Sequence, residues 1–550
     1  MKNTLKNLYT HLIESRKHEV EGWHDTYFQF CGEVDNIRSN IKGGKDLSPE
    51  TDGEFLKKLI YERDNGIATK GLSVLSDENF QDFIKNKDFM SSLQNFILTP
   101  DKENFDKFCK IWNNLSPRNN PVLVNRVAAA CAGARKVSTT VDEGKFNQVF
   151  HWLVNKGIIQ AYPKDKNQDW FSKNDFLLEF INNEFSDKLK EGSTDEFYLS
   201  MFVWKLYENI SNPFRLKKQT VKYGAPGTGK TYQARQQTSL LFDIWKDEFA
   251  PDSNFKYENQ RELVQFHPSF SYEDFMEGLR PVLDGNGTAQ LTLQNGVFKE
   301  FCRKAAKWEI DVHNLGLDKD WESITINDLN PHKEKLSGEY WQYIFEVPDS
   351  STLVSEAVPP FFFIIDEVNR AELSRVFGEL MYCLEYRGIN GKIKTQYAKL
   401  NNEDTGMLKT EQGFLFFIPT NIYLIGTMNT IDRSVESFDF ALRRRFFWEE
   451  VKPDTGVLRY HLKQFCEAWE QLADNLERLN TKIEEQPLLG PDYQIGHAYL
   501  MNLKYAQNLK VNEVRKRVWD DCIRPLLQEY LRGSGKEAEL IGSFGKAFGI

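Results

Sequence analysis

Cysteine is scarce and scattered, with seven in 550 residues. Positions 31, 109, 131, 302, 383, 466 and 522 form no Cys-x-x-Cys pair and have no histidine at ligand spacing. This excludes a disulfide framework and a zinc finger or ribbon, and predicts reduced thiols inside cores. Long hydrophobic runs are missing too. The longest, such as "FFFII" at 361–365, fall far short of the ~20 residues that span a bilayer, and the mean hydropathy is negative. The opening "MKNTLKNLYTHLIESRKHEVEG" carries charges throughout and has no apolar core of a leader. No membrane span or secretory signal is expected, and the expected location is cytoplasmic. Positive charge is not in excess either: 70 Lys and Arg against 80 Asp and Glu give a net charge of −10. That excludes a surface uniformly coated for nucleic acid, while leaving room for a local basic channel. Repeats and low-complexity tracts are also absent. What is present is an ordinary soluble composition, at a length that implies about two to four domains.

Up to about residue 207 the chain reads as mostly helical, with amphipathic stretches at 78–97 ("ENFQDFIKNKDFMSSLQNFI") and 142–159 ("DEGKFNQVFHWLVNKGII"). The polar, basic joint "SNPFRLKKQT" at 211–220 then changes the texture. After it, the short apolar runs "VKYG", "ELVQFH", "FFFIID" and "NIYLIGTMN" alternate with helical or loop segments, the pattern of a mainly parallel α/β sheet. Past Lys452 the pattern is helical again. The expected organisation is a mostly helical N-terminal domain at 1–207, a linker at 208–220, an α/β domain at 221–452 and an all-helical domain at 453–550.

Three segments of the α/β part carry chemistry. "VKYGAPGTGKTYQARQ" contains Gly-x4-Gly-Lys-Thr after a strand and before a helix, the context a phosphate loop needs. Gly224, Pro226, Gly227 and Gly229 shape a turn whose N–H groups face phosphate oxygens. Lys230 brings a point charge to the β and γ phosphates, and the Thr231 hydroxyl suits Mg²⁺. The alternative is a glycine-rich turn that binds nothing. "FFFIIDEVNRA" is an unbroken apolar strand ending in two carboxylates, which is costly unless a cation or a reaction uses them. Asp366 is placed to hold Mg²⁺ and Glu367 to deprotonate the attacking water; the alternative is that both cap the following helix. "NIYLIGTMN" ends in Asn429, at the strand end where an open parallel sheet binds its ligand. Asp432 and Arg433 follow. "ALRRRF" places three arginines at 443–445, which cannot all point into one subunit's site. One or more is expected to reach a neighbour's nucleotide; the alternative is a solvated basic helix end.

In this order, "GAPGTGKT", "FFFIIDEVNRAELSRVFGEL", "IGTMNTIDRS" and "ALRRRF" resemble the McrB family of AAA+ motors, the nucleotide-hydrolysing subunits of modification-dependent restriction systems. The resemblance runs from about Val221 to the C-terminus. It takes in "VQFHPSFSYEDFMEGLRPV" at 264–282 and "IGHAYLM" at 495–501 in the helical lid, and departs at Ile431, where Ala is commoner. It implies an α/β AAA+ P-loop motor with an all-α lid. It further implies a homo-oligomeric, hexameric ring, GTP hydrolysis in preference to ATP, a McrC-like nuclease partner and a DNA target, modified or not. By position, Asn429 is similar to the family's sensor asparagine, Asp432 to the loop acid that helps place the water, and Arg444 and Arg445 to its trans-acting arginines. "DEVNRA" is also close to the MoxR branch of AAA+ ATPases, which remodel protein complexes without DNA, and this stands as the alternative.

Elsewhere the residues say less. No D…ExK or Ser–His or Cys–His constellation supports nuclease or nucleophile chemistry in this chain. In the N-terminal part, Tyr27, Phe28, Phe30, Trp112, Trp152 and Trp170 are candidates for a base cage, although aromatics at helical spacing are more often core. "RVAAACAGARKVSTT", with Arg126, Arg135 and Lys136, is a candidate phosphate contact, and so is the joint carrying Arg215, Lys217 and Lys218. A polar, Trp-containing insertion occupies 305–360, and 386–406 ("YRGINGKIKTQYAKLNNEDTG") reads as a hairpin.

Overall fold

Helix starts in the first two hundred residues are set by short polar side chains. Ser48, Ser76, Asn86, Asp101, Asp142 and Asp169 each accept a hydrogen bond from the backbone N–H three residues on, which satisfies an otherwise orphan donor. Asn86 thereby splits the amphipathic stretch 78–97 into two helices, Asp77–Lys85 and Lys87–Leu98. The computed structural model describes residues 2–61, 65–67, 75–116, 120–163, 166, 168–190, 192–212, 217–283, 289–431, 440–463, 465, 469–501, 503 and 509–550. The chain divides into two compact units, Met1–Asn212 and Pro213–Ile550.

The first unit is helical, around an aromatic core. Tyr27, Phe30, Trp112 and Trp170 are buried in it and are therefore packing residues; Phe28 is exposed and Trp152 half-buried. The expected phosphate contact at 126–140 is corrected at Arg126 as well. Arg126 is 2% exposed, and its guanidinium donates to Asn65 Oδ1 and to the Lys58 carbonyl. Ser138, Thr139 and Thr140 are buried, and Arg135 pairs with Glu196. A charge is tolerated inside this core because its N–H groups find oxygens there.

The second unit is built on five parallel strands: β1 (Gln219–Gly224), β2 (Arg261–Gln265), β5 (Phe361–Asp366), β8 (Ile422–Asn429) and β9 (Phe447–Glu450). Their order is β2-β5-β8-β1-β9. β5 is apolar throughout because both of its faces are covered. Phe362 and Ile364 face the helix Lys230–Phe249, while Phe363 and Ile365 pack with Phe275, Phe298 and Phe377. This is the α/β AAA+ architecture expected, with helices on both sides. β9 and the antiparallel hairpin β3 (Glu277–Leu283) with β4 (Ala289–Asn295) were not anticipated. The hairpin is rooted by a buried ion pair, Glu277 with Lys299, which Asn401 also joins.

The insertion at 305–360 is a packed element with its own core, including Trp308, Ile326, Leu329 and Trp341. The segment 386–406 is not a hairpin. It forms two 3-10 turns, and the hairpin comes just after it, β6 (Leu408–Thr410) with β7 (Gly413–Leu415), turning at Gly413 with φ 102°. Its polar run lacks the alternation a strand pair needs, which first appears in "MLKTEQGFLFF". The C-terminal helices, among them Glu470–Glu484, Val511–Val518 and Glu537–Phe548, enclose a separate core around Trp469, Leu476, Trp519 and Phe544. Among the described residues no helix is long and apolar enough to cross a membrane. Cys31, Cys131, Cys302 and Cys383 are buried free thiols and Cys109 and Cys522 half-buried ones, while Cys466 lies outside the described residues.

Candidate nucleotide site

The carboxyl ends of β1, β5 and β8 meet because the register aligns them: Gly224 lies opposite Asn429, and both Val221 and Ile365 lie opposite Gly426. The phosphate loop leaves β1 at Gly224, where φ is 150°. It turns through Gly227 (φ 75°) and Gly229 (φ 82°) into the helix Lys230–Phe249. These are conformations an L side chain resists. Lys230 is buried, with Nζ donating to the carbonyls of Gly224 (3.1 Å) and Ala225 (2.7 Å), so its charge lies folded under the loop.

Thr231 Oγ1 donates to Asp366 Oδ1 at 2.7 Å, and Thr427 Oγ1 donates to the same oxygen. Next to it, Asn429 Nδ2 donates to Glu367 Oε1 at 2.8 Å. Glu367 has φ 52° and ψ 47° and is the one non-glycine residue in a left-handed conformation among those described. A bulky side chain held there costs on the order of 1–3 kcal/mol, a strain that collects at functional sites. The local backbone is held by the Glu367 N–H on Thr427 Oγ1 (3.4 Å) and by the Arg370 N–H on the Glu367 carbonyl (2.9 Å). Thr427 was missed in the sequence. It sits two residues before Asn429 on the same strand face, and period-two spacing could have identified it.

The lid segment at 495–501 lies against the phosphate loop. Gly496 and Ala498 donate N–H bonds to the carbonyls of Pro226 (3.1 Å) and Gly227 (2.9 Å). A Cβ on Gly227 would meet the Tyr499 ring at 2.8 Å, and one on Gly496 would overlap the Gly227 carbonyl. The His497 ring is 6% exposed, and burial holds its imidazole below the usual range. Its Nδ1 accepts the Asp454 N–H at 3.0 Å, so the neutral ring carries its proton on Nε2, on the side of Gly229. The resemblance places this segment in the lid, but nothing local in "IGHAYLM" signals what each residue does there.

The arginines stand elsewhere. Arg443 lies over the Trp448 ring, and Arg444 and Arg445 both reach Glu385, at 3.3 and 2.7 Å. Gln219, at the start of β1, donates to the Arg445 carbonyl. This group therefore sits at the amino end of the strands, some five residues of ~3.3 Å, or ~17 Å, from Gly224. Asp432 and Arg433 lie outside the described residues.

A glycine-turn phosphate loop, an acidic strand end and a polar neighbouring strand on a parallel sheet, roofed by a helical lid, define an AAA+ nucleotide-binding module. Residues 223–446 match the AAA domain (dynein-related subfamily), and residues 471–539 match the McrB alpha-helical lid domain. In its α/β and lid segments the chain is thus similar to the McrB family of AAA+ proteins. It is 32% identical over 332 residues to the type IV methyl-directed restriction enzyme EcoKMcrB subunit of Escherichia coli K12, an alignment covering 59% of this chain and 56% of that protein. It is 23% identical over 289 residues to the type II restriction enzyme BsuMI component YdiS of Bacillus subtilis 168, covering 50% of this chain and 72% of that protein. The chain thus spans little more than half the length of the first of these relatives.

Proposed function

We propose that this chain is the nucleotide-hydrolysing subunit of a McrBC-like restriction complex, using GTP in preference to ATP. In this proposal it assembles as a homo-oligomeric, hexameric ring and drives a McrC-like nuclease partner on DNA selected by residues 1–207. The carrying observation is the pairing of the strained Glu367 with Asn429 beside the Thr231–Asp366 contact, at the mouth of the phosphate loop. The two restriction-system relatives support the biological setting.

The amides of residues 224–231 bind the phosphates, and Lys230 swings from the loop carbonyls onto them. Thr231 and Asp366 offer hard oxygens already within hydrogen-bond distance, a donor set that suits Mg²⁺. Bound there, Mg²⁺ neutralises charge on the phosphates. Glu367 takes the proton of the attacking water, with Asn429 fixing its carboxylate, and Asp432 helps place that water. Arg444 and Arg445 stand ~17 Å of strand away from their own subunit's loop, so they serve a neighbour. Of the two, Arg444 is the one that reaches across, since its side chain is 65% exposed against 12% for Arg445.

The test is steady-state hydrolysis of GTP and ATP side by side, with and without an adjacently encoded McrC-like protein, for the wild type and Glu367→Gln. Preferred GTP turnover raised by the partner, and lost by ~10²-fold or more in a variant that still binds nucleotide, is expected. ATP preference without a partner response points instead to a remodelling ATPase. Wild-type turnover in Glu367→Gln refutes the base assignment.

A further inference from the structure

At the amino ends of β1 and β8, on the far side of the sheet from the phosphate loop, is an open groove of about 480 Å³. Five cations line it: Lys217, Lys218, Arg387, Arg444 and Arg445. Two carboxylates, Glu322 and Glu385, oppose them. Glu385 is taken up by the two adjacent arginines, so Lys217, Lys218 and Arg387 are held close together mainly by neutral acceptors. Lys217 Nζ donates to the Arg444 carbonyl at 3.0 Å and Lys218 Nζ to the Thr420 carbonyl at 2.7 Å. Arg387 donates through Nε and Nη2 to Gln219 Oε1, while its Nη1 is buried with no hydrogen-bond partner among the described residues. Burial, then the neighbouring Arg387, pulls Lys218 down to about 8 against the pull of Glu309, Glu322 and Glu356, and burial pulls Arg387 to about 10 against that of Glu309. Cations gathered with too few anions mark a place for an anionic ligand.

We infer that this groove is a phosphate-binding surface for the nucleotide held by a second copy of the chain, with Lys217 and Arg387 reinforcing Arg444. This rests on the trans role proposed above for the arginines. The subunit's own phosphates cannot be the ligand, because they bind at the other end of β1, ~17 Å away. A DNA backbone phosphate is the competing occupant. The nucleotide is favoured because Lys217 holds the carbonyl of Arg444, so the groove and the arginine form one surface.

The experiment mixes subunits. Lys217→Gln is expected to lower turnover roughly ten- to hundredfold by removing one donor to the transferring group, while Lys217→Arg retains most of it. Lys217→Gln keeps an intact phosphate loop, and Lys230→Ala keeps an intact groove. In an equal mixture about one site in four joins the two intact halves, so turnover is expected to recover to about that fraction. Arg444→Ala mixed with Lys230→Ala is the control. Recovery there but none with Lys217→Gln overturns this inference and leaves the trans arginine standing. Failure of both mixtures, in rings shown to be mixed, removes the trans reading itself. Unchanged turnover with weakened DNA binding in Lys217→Gln assigns the groove to DNA and also overturns the inference.

Discussion

Glu309 offers a perturbation whose size can be worked out. It lies on the helix Lys307–Asn314 and is 4% exposed. Oε1 accepts the Thr420 N–H at 2.7 Å and also the Thr420 hydroxyl, while Oε2 has no hydrogen-bond partner among the described residues. Burial, opposed by the Thr420 bonds, pushes its carboxyl from 4.5 up to about 7. The folded chain therefore keeps a proton that the unfolded chain releases between those two values. Stability falls as pH rises through that window, by up to about 3 kcal/mol in total, and the loss is complete above pH 7. Glu309→Gln retains the oxygen that Thr420 binds and carries no charge at any pH. Its new N–H beside Gly388 offsets about 1 kcal/mol of the gain. The variant should match or slightly trail the wild type near pH 4.5 and lead by about 2 kcal/mol at pH 8. Because a chain of several domains need not unfold in one step, the assay is exchange protection of the Thr420 amide alongside Tm, for both proteins from pH 5 to 8.5. A stability difference that stays constant or shrinks as pH rises refutes the argument.

Three further outcomes can be checked separately. Gly496→Ala drives a Cβ into the Gly227 carbonyl and the Pro226 oxygen, backbone atoms that cannot yield, so the lid must lift; calorimetric affinity for a non-hydrolysable nucleotide should fall at least about tenfold. Thr427→Val deletes a hydroxyl that serves both Asp366 and the Glu367 backbone. It should lower kcat about tenfold with KM within about twofold, and a changed KM at constant kcat would contradict the positioning role. Lys299→Met strands the Glu277 carboxylate, fully buried at the root of the hairpin. Denaturation should show a loss of about 3–5 kcal/mol, largely recovered in Glu277→Gln/Lys299→Met; no recovery would mean that the chain does not tolerate an uncharged pair there.

The inner strands β5 and β8 could be read because burial on both faces writes a continuous apolar word, as in "FFFIID". β9 could not: "FWEE" is four residues at the sheet edge, half-buried, and indistinguishable from a helix end after three arginines. The phosphate loop and the Asp366–Glu367 pair were legible because their chemistry is local in sequence. His497 and Lys217 act through partners 43 and 227 residues away, and no local pattern encodes such a meeting. In the first unit the difficulty was the reverse. Arg126 and Trp112 look like recognition residues by type, and only burial reveals that they are packing.

The positions of the two sites constrain how copies can associate. Three strands of the sheet, β1, β5 and β8, present phosphate-handling groups at their carboxyl ends, through Gly224, Asp366 and Asn429, and β1 and β9 have cations at their amino ends, through Lys217, Arg444 and Arg445. If the cations serve a nucleotide, a complete site needs the carboxyl end of one copy and the amino end of another. Such a contact joins two different patches, so it is heterologous, and every copy that completes one site offers its remaining end to the next. Repetition by a constant rotation either closes into a ring or grows as an open filament. Hydrolysis per subunit should then rise with concentration and saturate once the contact closes, and a Lys230→Ala/Arg444→Ala double variant, lacking both halves, should depress wild-type turnover at every joint it enters. A double variant that mixes into wild-type assemblies without lowering the turnover of the wild-type subunits would break this link between the two ends of the sheet.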